Sequence, residues 1–215
     1  MSTFRTFLFD LDGTLIDHFK AIHRSYAYTL PRMGLPEPTP QQVRDAIGGG
    51  LENALSRFVP KDRIEETVKV YREYWNRTML DDVEAMPGAL ALLKKLKAQG
   101  AMLGVLTNKV GPSSRLVCEK LGFSPYLSAT IGAGDTAWLK PQRELTLHAL
   151  ALLGGSPESA LLVGDSPFDI EAAHNCGLTS WVVTTGTHSA EELREARADA
   201  VFPDLVVMAE KLGPG

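Results

Sequence analysis

The run Phe7-Leu8-Phe9-Asp10-Leu11-Asp12-Gly13-Thr14-Leu15-Ile16 ends an apolar stretch in two aspartates one residue apart, followed at once by Gly-Thr. Side chains alternate faces along a strand, so Asp10 and Asp12 point the same way if the strand continues. Two crowded carboxylates repel unless a cation, a shared proton or a division of labour relieves them. A magnesium-assisted site, with one carboxylate as nucleophile and one as acid and base, would use this arrangement. Gly13 permits a sharp turn or the close approach of a ligand. Asp-Gly is equally an ordinary turn dipeptide, and Asp-Leu-Asp alone decides nothing.

Three further signals follow apolar runs. Thr107 and Asn108, in Leu106-Thr107-Asn108-Lys109, offer a hydroxyl and an amide that can donate to phosphate oxygens without adding charge. They could equally cap a helix starting near Pro112. Lys140, in Trp138-Leu139-Lys140-Pro141, sits at an extended position ahead of a helix begun by Pro141. It could neutralise a phosphate or the crowded carboxylates, and taken alone it is an ordinary solvated lysine. Gly164-Asp165-Ser166-Pro167-Phe168-Asp169 closes another apolar run. Asp165 can cap the next helix, with Asp169 one turn along it. Capping does not explain why this end repeats the acidic pattern of the first.

The elements that must hold these residues follow from periodicity. Five apolar runs read as buried strands: Thr6 to Asp10, Met102 to Thr107, Ala129 to Ala133, Ala160 to Gly164 and Ser180 to Thr184. Helical stripes lie between most of them, including Leu90, Leu93 and Leu96, then Leu116 with Leu121, then Leu145, Leu147, Leu150 and Leu153. The alternation predicts an α/β fold, a doubly wound parallel sheet with a Rossmann-like core, its ligands at the carboxyl ends of the strands. From about Asp17 to Ala85 no strand pattern occurs. Phe19, Ile22, Tyr26, Leu30 and Met33, and later Ile64, Val68, Tyr71, Trp75 and Met79, mark amphipathic helices. The expected division is a core of 1–16 with 86–215 and a helical insert of 17–85.

Composition bounds the partners. The chain has 215 residues, 44% hydrophobic and 22% charged, with a net charge of −4. No basic block points to nucleic acid or a membrane surface. No apolar run reaches the roughly 18 to 20 residues that cross a bilayer. Cys118 and Cys176 lack metal-ligand spacing and fall in helical patterns, which predicts buried free thiols and a cytoplasmic setting, and the charge at Asp10 and Asp12 interrupts the N-terminal apolar run, so no leader sequence is expected.

Taken together, Asp10-Leu11-Asp12-Gly13-Thr14, Thr107-Asn108-Lys109, Lys140-Pro141 and Gly164-Asp165 with Asp169 resemble, in order and placement, the motifs of the haloacid dehalogenase-like hydrolases. The resemblance spans the whole chain, the insert corresponding to that family's cap. It is nearest to phosphoglycolate phosphatases, through Thr107-Asn108-Lys109, the segment Ile47 to Leu55 and Asp169-Ile170-Glu171-Ala172-Ala173 with Gly177. The resemblance implies that Asp10 attacks phosphorus, that Asp12 protonates the leaving oxygen and then helps deprotonate water, and that Thr107 and Lys140 hold the phosphoryl oxygens. Asn108, Gly13 and Gly49 would meet substrate. Magnesium would be held by Asp10, the Asp12 backbone carbonyl and Asp165. Asp169 and Ser166 would stand behind it or reach it through water.

The implied substrate is a small phosphorylated metabolite, with phosphoglycolate first. Pyrophosphate and sugar phosphates stay open, as does a phosphoglucomutase, although Ile22 stands where mutase motifs carry a cap histidine. A non-catalytic phospho-ligand binding module is the alternative of a different class, and it would need no nucleophile beside an acid/base. His18 stands where relatives often carry a small polar residue; it could touch substrate at the cap hinge, and is expected rather to be a solvated histidine at a helix start. Gly48-Gly49-Gly50 is expected either as a linker between helices or as a loop whose backbone meets the leaving group. Oligomeric state is not readable.

Overall fold

A four-residue strand, β1 (Thr6–Phe9), is buried along its whole length and lies inside a six-stranded sheet. The computed structural model describes residues 4–212. In chain order β1 is followed by β2 (Ile16–Asp17), α1 (Phe19–Arg32), α2 (Pro40–Ala46), α3 (Leu51–Leu55), α4 (Ile64–Thr78) and β3 (Glu84–Ala85). Then come α5 (Ala89–Ala98), β4 (Met102–Val110), α6 (Gly111–Lys120), β5 (Ala129–Ala133), α7 (Arg143–Leu153) and β6 (Ala160–Gly164). The chain continues through α8 (Pro167–His174), β7 (Thr179–Val183), α9 (Ala190–Glu195), β8 (Ala200–Phe202) and α10 (Leu205–Lys211).

The chain divides into two compact units, one formed up to Ile16 and from Ala85 onward, the other by Asp17–Glu84. In the first, six strands pair in parallel in the order β5-β4-β1-β6-β7-β8. β1 therefore lies between β4 and β6, and the chain leaves it in both directions. That is the topological switch point of an open α/β sheet, outside whose strand carboxyl ends ligands bind. The register is aligned there: Phe9 pairs with Val105 on one side and Val163 on the other. The Asp10 N–H still donates to the Val163 carbonyl at 2.8 Å, so Asp10 is held at the rim by the ladder. Leu8, Leu106, Leu145, Leu150, Leu153 and Leu162 fill the core on one face of the sheet. Among the described residues, no helix is long and apolar enough to cross a membrane.

The second unit is helical. Tyr26, Leu30, Val43, Leu55, Val68, Tyr71 and Trp75 form its core, with Tyr26 and Tyr71 edge to face at 5.3 Å and Tyr71 stacked on Trp75. Gly48 and Gly50 between α2 and α3 have φ of 120° and 87°, which accounts for glycine at both; Gly49 has no positive φ. The connections carry the short strands β2 and β3, which pair with each other.

Several expectations are corrected. His18 is buried rather than solvated: its ring lies 4.9 Å from that of Trp75, and Nε2 donates to the Met79 carbonyl at 2.6 Å. Leu116 (47% exposed) and Leu147 (38%) face outward, because their neighbours on the same helices supply the buried stripe. Pro141 precedes its helix; α7 begins at Arg143. β8 falls where no strand was expected. Cys118 and Cys176 are free and buried as expected, but Cys176 follows α8 rather than lying in a helix.

Candidate active site

The carboxyl ends of β1, β4 and β6 bring Asp10, Thr107, Lys109 and Asp165 to one rim, and the loop before α7 adds Lys140. Asp10, Asp165 and Asp169 are all buried, with carboxylate oxygens within 4.8 Å of one another. Lys140, its side chain only 2% exposed, reaches into them and donates to Asp10 Oδ1 and Asp169 Oδ1, both at 2.6 Å. Two of the three carboxylates thus hold one ammonium, and the cluster with Lys140 carries an excess of two negative charges when all are ionised.

That imbalance appears in the proton affinities. Burial, above the favourable pull of Lys140, pushes Asp10 up to about 6, and Asp169 and Asp12 add to the rise. Asp165 is raised well above the usual carboxylate range, first by burial and then by the charges of Asp10 and Asp169. Burial works against the Lys140 ammonium, but the adjacent Asp10 and Asp169 carboxylates outweigh it and hold its proton more tightly than usual. A hard divalent cation fits this donor set. It would supply the missing charge, and the set is all oxygen.

Asp169 is the part least open to such an ion. Its Oδ2 accepts from the Asp165 N–H (3.2 Å), the Ser166 N–H (3.1 Å) and the Ser166 hydroxyl (2.7 Å), while Oδ1 is taken by Lys140. Ser166 and Asp169 form a capping box at the start of α8. The cap of this helix is therefore Ser166, not Asp165, whose carboxylate is left for other partners; the Thr14 hydroxyl stands 3.4 Å from its Oδ1.

Thr107 and Asn108 lie within β4, so neither caps the following helix. The Asn108 amide clamps the Lys140 backbone, accepting from the Lys140 N–H at 2.8 Å and donating to the Lys140 carbonyl at 3.1 Å. The Lys140–Pro141 peptide is cis. Asp12 stands apart from the buried cluster, and the Lys109 ammonium contacts both of its carboxylate oxygens at 3.0 Å.

Glycines make room for the carboxylates. A Cβ on Gly13, whose φ is +84°, would lie 2.5 Å from Asp165 Oδ2, and one on Gly164 would lie 2.1 Å from the Asp169 carboxyl carbon. Gly186, in the loop after β7, is a residue the sequence reading missed: its Cβ would fall 1.7 Å from Asp165 Oδ2. The neighbouring Thr185 hydroxyl donates to the Gly13 carbonyl at 2.7 Å, which ties that loop to the β1 turn. Gly186→Ala must therefore displace Asp165. The expected result is a divalent-cation affinity lower by roughly tenfold or more, as for other changes that disturb a ligand's orientation. Calorimetric titration checks it, and unchanged affinity would show that Asp165 has room to move.

Comparison with known proteins agrees with this geometry. Residues 7–183 match the model of the haloacid dehalogenase-like hydrolase family. A phosphoglycolate phosphatase of Aquifex aeolicus (strain VF5) is 36% identical over 80% of this chain and 81% of its own length. A relative in Clostridium perfringens (strain 13 / Type A), named provisionally as the pyrophosphatase PpaX, is 33% identical over 89% of each chain. A haloacid dehalogenase-like family hydrolase of Streptococcus pneumoniae superposes with a TM-score of 0.88 at 26% identity, covering 98% of this chain and all of the other. With its family motifs at the switch point of a six-stranded parallel sheet, the chain belongs to the haloacid dehalogenase-like hydrolases.

Proposed function

We propose that this hydrolase is a magnesium-dependent phosphatase that cleaves a small phosphorylated metabolite through an aspartyl-phosphate on Asp10. The observation that carries the reading is Lys140 bridging Asp10 and Asp169 inside a carboxylate cluster two charges short of neutrality. A purely binding site for an anion gains nothing from three buried carboxylates, whereas a nucleophile working beside a cation requires them.

Asp10, with the Asp12 backbone carbonyl and Asp165, would hold the magnesium ion, and Asp169 with Ser166 would fix Asp165 from behind. When bound, the ion supplies positive charge that offsets the phosphoryl oxygens and the nucleophile. Lys140 keeps Asp10 ionised and oriented, and its charge also faces the transferring phosphoryl group. The Thr107 hydroxyl, at the end of β4, is available to donate to a phosphoryl oxygen. Asp10 attacks phosphorus as Asp12 gives its proton to the leaving oxygen. Asp12 then takes a proton from the water that hydrolyses the acyl phosphate.

The helical segment 17–85 is read as the cap that selects the substrate. Phosphoglycolate is the first candidate, because the relative at 36% identity carries that activity in its name; pyrophosphate is the second, on the relative at 33%. Two buried thiols fit a reducing compartment, the cytoplasm.

A phosphate-release screen over phosphoglycolate, pyrophosphate, hexose phosphates and nucleotides tests the reading. Activity is expected to vanish in chelator and to return with magnesium, while calcium, with its looser coordination, restores little. Full activity in chelator, or no phosphate release from any of these esters with magnesium present, would overturn it.

A further inference from the structure

Asp12 has a partner that the proposed reaction does not yet use. The turn after β1 presents its carboxylate outside the buried cluster, with the side chain 18% exposed, where water could have solvated it. Instead Lys109 comes from the far end of β4, 97 residues away, and places its ammonium 3.0 Å from both Asp12 oxygens. The Lys109 side chain is 8% exposed, so the contact is made at the cost of desolvating an ammonium group. Equal distances to both oxygens centre the ammonium on the carboxylate and hold it in position.

The strand supports this aim. β4 runs past the last residue it pairs with β1, Val105, and its register with β5 shifts between Leu106 and Val110. Such irregularities re-aim side chains at the ends of strands. Thr107 and Lys109 both lie in this irregular stretch, two residues apart. The Lys109 N–H also donates to the Thr107 hydroxyl at 3.2 Å, which couples the two positions locally.

We propose that Lys109 is a positioning residue for Asp12, holding its carboxyl group where it serves the leaving oxygen. The inference rests on the aspartyl-phosphate reading above. In the first step the Asp10 oxygen forms its bond to phosphorus, the bond from phosphorus to the leaving oxygen breaks, and the Asp12 proton passes to that oxygen. Asp12 becomes a carboxylate and is received by the Lys109 ammonium. In the second step a water oxygen forms its bond to phosphorus, the bond from phosphorus to the Asp10 oxygen breaks to release phosphate and the Asp10 carboxylate, and the water proton passes to Asp12 and restores the acid. Lys109 itself transfers no proton.

A structural ion pair that merely ties β4 to the β1 turn would affect all substrates alike. A positioning role would not, because a poor leaving group needs its proton and a good one does not. The test is therefore rapid-quench measurement of phosphoenzyme formation by wild type, Lys109→Met and Lys109→Arg, using an alkyl phosphate and p-nitrophenyl phosphate with magnesium. Lys109→Met is expected to slow the alkyl ester by about 10²-fold, the lower range of general acid–base contributions, and the aryl ester by only a few-fold. Lys109→Arg is expected to recover part of the alkyl rate. Equal losses for both esters, or no loss for either, would overturn the inference while leaving the aspartyl-phosphate reading intact. Absence of labelled enzyme in wild type would overturn that reading instead. If Lys109→Met does not fold, the same ratio is read from Lys109→Arg, whose longer, planar head must shift Asp12; an unchanged ratio there also overturns the proposal.

Discussion

Asp10→Asn is expected to lower turnover on the order of 10⁴-fold or more, the scale at which loss of a covalent nucleophile leaves only binding and electrostatics. The amide keeps the shape of the carboxylate and can still accept from Lys140, so the change removes nucleophilicity rather than structure. Stability should move the other way. Burial lifts Asp10 from its ordinary value of 3.8 to about 6, so the metal-free folded state disfavours the charged form. A group raised in this way gives its full contribution below its unfolded value and loses it as pH rises through about 6. Above that pH, in chelator, Asp10→Asn should therefore melt at a higher temperature than wild type, and the gain should shrink on acidification. With magnesium present the gain should vanish, because a cation then compensates the carboxylate. Steady-state kinetics and melting curves at two pH values check both halves. Turnover near wild type would sink the covalent mechanism, and a lower melting temperature in chelator would sink the account of Asp10 as an overcrowded charge.

The positions at strand ends were legible because local sequence puts them there. An apolar run that stops in Asp10, or in Gly164-Asp165, fixes both the strand and the place where it meets solvent, and β5 and β6 match their expected limits. Contacts made across the chain were not legible. Nothing near Asn108 says that its amide will hold the backbone of Lys140, 32 residues on, and nothing near Lys109 names Asp12. Gly186 reads as a loop glycine until Asp165 is seen against it. β8 carries three half-buried residues, too short and too mixed for an apolar run, and owes its place to pairing with β7. His18 shows the same limit from the other side. A histidine at a helix start carries no local sign of burial, and the Trp75 ring and Met79 carbonyl that enclose it lie about sixty residues away.

Lys140→Met separates the charge of that lysine from its bulk. The methionine fills much of the same space, but the cluster loses the ammonium that Asp10 and Asp169 hold. Breaking a buried ion pair from one side costs about 3–5 kcal/mol, because the remaining charge is left uncompensated. Here the carboxylates can relieve part of that cost by taking up protons, which both Asp10 and Asp165 are already disposed to do. The metal-free variant should therefore lose several kcal/mol or less at neutral pH and recover on acidification. Magnesium should restore part of the stability, since it supplies charge to the same oxygens, but not the activity. With no ammonium facing the phosphoryl group, turnover should stay down by about 10³-fold, the scale of losing one preorganised donor. Lys140→Arg is not expected to rescue, because the wider guanidinium would have to fit a space only 2.6 Å from two carboxylates. Melting curves with chelator and with magnesium, at pH 5 and pH 8, decide the matter. If the variant in chelator melts like wild type at both, Lys140 does not neutralise the cluster. If magnesium restores turnover along with stability, its charge is needed only to hold Asp10 and Asp169 in place, and not at the phosphoryl group.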